Sequence, residues 1–215
     1  MLFGFTPSYV IAVAIILLVP LPVHEFSHAL AAYRLGDGTA KMMGRLTLNP
    51  IAHFDPVGAL MLLLIGFGRA KPTPINPYNL AYGRYGEAIV AFAGPASNLV
   101  LAVAFALPLR YIYTTAMVVP DVLSSVLQFL VVINVILFAF NLIPIPPLDG
   151  SKILFAFLPP RTAYQWRPVL EQYGIFIILI AAFVPISRGG TVLSELFQIL
   201  IYPIVNFLVG YPVFG

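Results

Sequence analysis

The chain has 215 residues, of which 60% are hydrophobic and 9% charged, with a formal net charge of +3 and no cysteine. A soluble domain carries about 25% charged residues, so this composition, with a mean hydropathy of +0.97, belongs to a protein of the lipid bilayer. It excludes disulfides, thiolate metal sites and cysteine nucleophiles, and so small a positive charge gives no sign of a nucleic-acid partner.

The first predicted span covers about Pro7 to Leu35: an apolar run to Val19, then Pro20 and Pro22, then His24-Glu25-Phe26-Ser27-His28. No Lys or Arg precedes Arg34, which argues against a cleaved signal peptide. The prolines remove backbone donors just before His24 and are expected to bend or loosen the helix, either as an ordinary kink or as an opening for water. Gly36-Asp37-Gly38 closes the helix, with Asp37 read as a solvated turn. Thr39 to Leu48 reads as a polar, strand-like segment. Asn49 to Pro56 is a turn into the apolar run Val57 to Phe67, about half the ~20 residues a span needs. A re-entrant or half-span helix capped by Asp55 is expected there. From Gly66 to Leu80, Pro72, Pro74 and Pro77 forbid a helix and favour an extended loop or an open strand edge.

Glu87 to Leu109 spans again and contains Ala93-Gly94-Pro95-Ala96-Ser97-Asn98, small residues that permit close packing, with Asn98 able to bond a neighbouring helix. Val122 to Ile143 is the next span, running into Asn141-Leu142-Ile143-Pro144-Ile145-Pro146-Pro147-Leu148-Asp149-Gly150. After a polar stretch with Lys152, Arg161, Trp166 and Arg167, the runs Tyr173 to Ile186 and Val192 to Val209 suggest a closing helical hairpin. The expected fold is an all-α polytopic membrane protein: about five spans, a short re-entrant helix and a cytoplasmic-side extended or β-like segment. It is expected as a single domain over residues 1–215, with a core at about 7–155 and a C-terminal hairpin at about 170–210.

If the half-span returns to where it began, Arg34, Lys41, Arg45, Arg69, Lys71, Arg84, Lys152, Arg161 and Arg167 share one side, against Arg110 and Arg188. Nine against two makes the first side cytoplasmic. The same assignment puts His24, His28 and Asp149 near the cytoplasmic ends of their spans.

His24 and His28 stand four apart, so a helix projects both imidazoles from one face toward a single metal ion. Glu25 lies beside the first of them, where its carboxylate can take a proton from a water on that metal. This H-E-x-x-H pattern is weak alone, but ionisable groups inside a membrane-grade segment mark a functional site. A catalytic zinc needs a third protein ligand. Asp149 is the candidate, following prolines and preceding Gly150 at the right depth; the competing reading is an aspartate that caps its loop. His53, the one other histidine, is a second-shell partner, a transient metal contact or a capping residue of its own turn. Asn98 and Asn76 are further candidates for second-shell or substrate contact.

Together, His24-Glu25-Phe26-Ser27-His28, Ala93 to Asn98, Asn141 to Gly150 and the intervening Asn49-Pro50-Ile51-Ala52-His53-Phe54-Asp55-Pro56-Val57-Gly58 resemble the site-2 protease family of intramembrane zinc metalloproteases, in its compact prokaryotic branch without PDZ or CBS domains. The resemblance covers most of residues 10–155. It implies one zinc ion (Zn2+) per chain on His24, His28 and Asp149, Glu25 as general base, and Asn141 as a residue that positions or stabilises the reacting carbonyl. The activity it implies is hydrolysis, by zinc-activated water, of peptide bonds in or near transmembrane segments of membrane-protein substrates. The setting it implies is the lipid bilayer of a prokaryotic cell, with the active site near the cytoplasmic side. A metal-binding transporter and an inactive membrane scaffold are the alternatives. A di-iron membrane oxygenase would need more histidines than the three present.

Overall fold

The computed structural model describes residues 7–65, 70–186 and 189–213. Arg69 and Arg188, two of the cations used to orient the spans, lie outside the described residues, as do Gly66 to Gly68 and Ser187. Among the described residues the regular structure is helical, and the sole β-type pairing is the isolated bridge Pro185–Thr191. The helices are α1 (Pro7–Leu18), α2 (Pro20–Arg34), α3 (Thr39–Met42), α4 (Pro50–His53), α5 (Pro56–Ile65), α6 (Arg84–Thr115), α7 (Asp121–Asn141), α8 (Asp149–Phe157), α9 (Pro160–Phe183) and α10 (Val192–Val209). Five helical stretches are long and apolar enough to cross a membrane: Val13–Arg34, Arg84–Thr115, Asp121–Asn141, Pro160–Phe183 and Val192–Val209. Contacts divide the chain into two compact units, Met1–Ser97 and Asn98–Gly215.

In the first unit, the helix breaks at Val19, and Pro20 starts α2, where a missing amide costs nothing. Gly36 ends α2 with φ +103, a conformation that glycine adopts without strain. Asp37 corrects the solvated-turn expectation: it is fully buried and accepts from the Thr39 amide (3.1 Å), the Asn76 amide (2.7 Å), Asn79 Nδ2 (3.2 Å) and Thr39 Oγ1. The segment after Gly38 is helical at first rather than a strand, with the Asp37 side chain turning the chain through its bond to the Thr39 amide just before it. Asp55 Oδ1 accepts from the Val57 amide at 3.0 Å, capping α5 as expected. The ten described residues of α5 are too few to span.

The proline-rich segment forms no regular structure from Ala70 to Asn76 before a 3₁₀ turn at Pro77–Asn79. The expected β-like segment is irregular chain without a partner strand among the described residues. Internal groups hold it instead. Lys71 N donates to His53 O at 2.9 Å, and the buried Arg45 guanidinium donates to Ala52 O and Lys71 O. Ala32, Leu80 and Val90 form a small core against Ala31, Leu35 and Ile75.

The second unit packs the C-terminal half of α6 against α7 and α10. Ala102 and Ala106, Val131 and Val135, and Ile201, Val205 and Val209 repeat every four residues and are all but fully buried, one stripe per helix. In lipid such contacts are held by close van der Waals fit, and the small alanines allow it. The bulky apolar residues of α9, such as Phe176, Ile180 and Phe183, are exposed, as lipid-facing side chains are. This helix begins at Pro160 instead of Tyr173, because pairs such as Arg167–Glu171 (2.9 Å, one turn apart) support helix through the polar stretch.

The direction of α10 follows from its ring contacts. Phe197 of α10 meets Phe140 at the end of α7, with ring centroids 6.3 Å apart. At the other end of α10, Tyr211 meets Tyr113 of α6 at 5.3 Å, and Gly210 lies against Arg110. α10 therefore runs parallel to α6. α9 and α10 do form a hairpin, closed by the Pro185–Thr191 bridge and by Ile186 N donating to Gly190 O at 2.7 Å. Packing, not the alternation of apolar runs, sets this direction.

Candidate active site

His24, Glu25 and His28 lie within one turn of α2. Both histidines are buried, each about 5% exposed. Their Nε2 atoms face one another at 3.0 Å, with the rings nearly perpendicular. His28 Nδ1 lies 2.7 Å from Val90 O; a carbonyl accepts only from an N–H, so Nδ1 carries the proton and Nε2 presents its lone pair toward His24. At this distance the two nitrogens share a hydrogen bond, and they are also spaced to share a cation. A zinc ion with Zn–N bonds of about 2.0–2.1 Å holds two ligands at roughly this separation. On its own observed geometry, the pair fits a zinc ion.

α6 supplies the wall behind the imidazoles. Val90 and Gly94 are one turn apart, so the carbonyl that fixes His28 and the glycine facing the rings share a face. A Cβ built on Gly94 would come within 2.4 Å of His28 Nε2 and 2.7 Å of His24 Nε2. The small-residue motif around Gly94 thus makes room for two imidazoles as well as for helix packing.

Glu25 is held from the proline-rich segment. Its Oε2 accepts from Thr73 N (2.9 Å) and Thr73 Oγ1 (2.7 Å), and Thr73 Oγ1 also lies 3.1 Å from Glu25 O. The sequence offered one signal for this residue, a single hydrogen-bonding side chain between Pro72 and Pro74.

Asp149 lies in the second unit, as the first residue of α8 after an extended Leu148. It is 7% exposed, with Lys152 Nζ 3.5 Å from Oδ1. Gly150 permits the fold-back: a Cβ there would stand 2.2 Å from Leu142 O. Asn141 closes α7 and donates Nδ2 to Leu137 O at 2.9 Å, which leaves the second amide hydrogen uncommitted to that bond.

The remaining predicted residues have structural partners. Asn98 donates to Asn134 Oδ1 at 3.1 Å, both fully buried. Asn134 was not singled out from sequence, although an amide inside Val131 to Phe138 is itself a signal. Asn76 caps the 3₁₀ turn by accepting from Tyr78 N at 3.1 Å. His53, 2% exposed, bonds Thr47 O through Nε2 at 2.8 Å, while Nδ1 is buried without a partner among the described residues.

Comparison with known proteins agrees with this chemistry. The family model for peptidase family M50 matches residues 108–183. YwhC of Bacillus subtilis, which carries the name of a zinc metalloprotease, is 36% identical over 204 residues, covering 89% of this chain and 93% of its own. Rip2 of Mycolicibacterium smegmatis and Rip2 of Mycobacterium tuberculosis (strain H37Rv) carry the same kind of name. They are 34% and 30% identical, over 78% and 80% of this chain. This chain spans 65% and 66% of those two relatives' own lengths. No solved structure gives a significant match.

Proposed function

The chain belongs to peptidase family M50, the zinc metalloproteases of the site-2 type, and from that premise we propose that it hydrolyses peptide bonds in or near the transmembrane segments of membrane-protein substrates. It is a multi-pass integral membrane protein by its apolar helices and its family. The observation that carries the proposal is the buried, face-to-face pair of His24 and His28 nitrogens, 3.0 Å apart, with the Glu25 carboxylate on the same turn.

In this reading one zinc ion per chain is held by His24, His28 and Asp149, three buried groups of the right donor chemistry. Zinc, when bound, supplies Lewis-acid activation of water and of the scissile carbonyl. Glu25 takes the proton of the attacking water and returns it to the leaving amine. Asn141 offers its second amide hydrogen to the oxyanion. Gly94 keeps the imidazoles seated, and Val90 O fixes the tautomer that frees His28 Nε2 for the metal.

A helical substrate hides its amides, so it unwinds before attack. The chain around Lys71 to Tyr78 is the proposed receiving edge. Its amides at Lys71, Thr73 and Asn76 are bonded inside the unit, and Pro72 and Pro74 have none, so an incoming strand meets chiefly carbonyl acceptors. α5 is the proposed re-entrant element. The positive-inside rule puts the Arg34 and Asn141 ends in the cytoplasm, with the site near that face of a prokaryotic cell membrane; the relatives named above are bacterial.

The test is co-expression with a panel of single-span membrane proteins, comparing the unaltered chain with Glu25→Gln. A cleavage product that disappears in Glu25→Gln while zinc content is retained supports the proposal. A product that persists removes Glu25 as the base.

A further inference from the structure

We infer that Thr73 is a positioning residue for Glu25: it grips one carboxylate oxygen and leaves the other for the proton transfer. This rests on the reading of Glu25 as general base and deepens it. Both donors of Thr73, the amide at 2.9 Å and the hydroxyl at 2.7 Å, converge on Oε2. Oε1 has no hydrogen-bond partner among the described residues. A free glutamate side chain turns about three torsions; here the tip is tied, so a single oxygen is presented.

The anchor is itself held rigidly. Pro72 and Pro74 have no amide hydrogen, so the Thr73 N–H is the only backbone donor in residues 72–74, and it goes to Glu25. Two residues before it, Lys71 is bonded through its amide to His53 O (2.9 Å) and through its carbonyl to Arg45. Three residues after it, the Asn76 amide bonds Asp37 Oδ2 at 2.7 Å. The two flanking prolines narrow the backbone between these ties. The segment thus spans the gap between the α3–α4 turn and the base, which gives the proline spacing a function apart from any strand edge. An outer-shell partner of this kind is worth about 10–100-fold in activity when removed.

The experiment measures kcat and KM for the full chain in detergent, with Thr73→Val and Thr73→Ser beside Glu25→Gln, on the single-span protein cleaved in co-expression. Infrared difference spectra against Glu25→Gln report the Glu25 carboxylate bands without any substrate. Thr73→Val lowers kcat about 10–100-fold, leaves KM and zinc content unchanged and shifts the carboxylate bands. Thr73→Ser restores both readouts. Unshifted bands, an unchanged kcat, or a loss confined to KM in Thr73→Val overturns the inference while the base reading stands. Retained cleavage by Glu25→Gln overturns the base reading itself, and the inference with it.

Discussion

Gly94 of α6 stands so close to His28 of α2 that a single added methyl group would come within 2.4 Å of the Nε2 atom. The position is inside a helix, where alanine is otherwise favoured by about 1 kcal/mol over glycine. Glycine is kept against that preference because the space is occupied by two imidazoles.

Gly94→Ala is therefore expected to push the His24 and His28 rings off their shared axis. Zinc content by elemental analysis should fall together with proteolysis, although helix propensity rises. Full zinc occupancy in Gly94→Ala would mean that the rings can shift without cost.

Asp149→Asn tests the proposed third ligand. The neutral amide keeps the size of the side chain and loses the anionic donor, so zinc occupancy is expected to fall along with cleavage. In Glu25→Gln, by contrast, cleavage falls and zinc is retained. Equal zinc in Asp149→Asn and the unaltered protein would take Asp149 out of the coordination shell.

The Asp37 carboxyl is pushed up by burial, yet the hydrogen bonds from the Thr39 side chain, the Asn76 and Thr39 amides and Asn79 outweigh that and hold it below its ordinary value of 3.8. A carboxyl depressed on folding stabilises the fold above its unfolded pKa and loses that contribution as pH falls through the folded one. The tie between α2 and residues 76–79 should therefore hold at neutral pH and open only below about pH 4. Limited proteolysis at this loop checks it, with Asp37→Ala cleaved there already at neutral pH. Each buried donor left without a partner costs roughly 1–3 kcal/mol.

Asn98 and Asn134 join α6 to α7 through one buried amide bond. A double-mutant cycle with leucine at each position is expected to give a coupling of about 0.6 kcal/mol, with an upper bound near 1.7, read from reversible unfolding in mixed micelles. Zero coupling would mean that each amide finds another partner. Loss of cleavage far beyond the stability change would give Asn98 a role in the chemistry.

The direction of α10 makes a topological prediction. Because Tyr211 lies by Tyr113, a reporter fused after Val213 should report the same side as one inserted at residues 117–119. A reporter after Leu158, between α8 and α9, tests the cytoplasmic assignment separately. Opposite sides for Val213 and 117–119 would reverse the direction of α10.

Much of this protein was legible in the order of its residues, since bilayer residence, approximate span positions and the His24-Glu25-His28 triplet depend on local quantities. Apolar run length decides what can cross a membrane, and a helix of 3.6 residues per turn puts positions four apart on one face. The Asp55 cap and the Gly36 stop are local in the same sense, each fixed by its own few residues.

Tertiary packing alone decided the rest. Asp37 sits between glycines and looks solvated, yet residues 76 and 79 return to bury it; Thr73 looks like loop and holds the carboxylate of Glu25. The direction of α10 was set by which helix faces fit together, a choice that apolar runs of similar length leave open. The hydrogen-bonded partners lie 36 to 48 positions apart in the chain, beyond the reach of any local periodicity. Sequence names the groups that can do chemistry, and the folded chain settles which neighbours hold them, because buried polar atoms take partners by proximity in space.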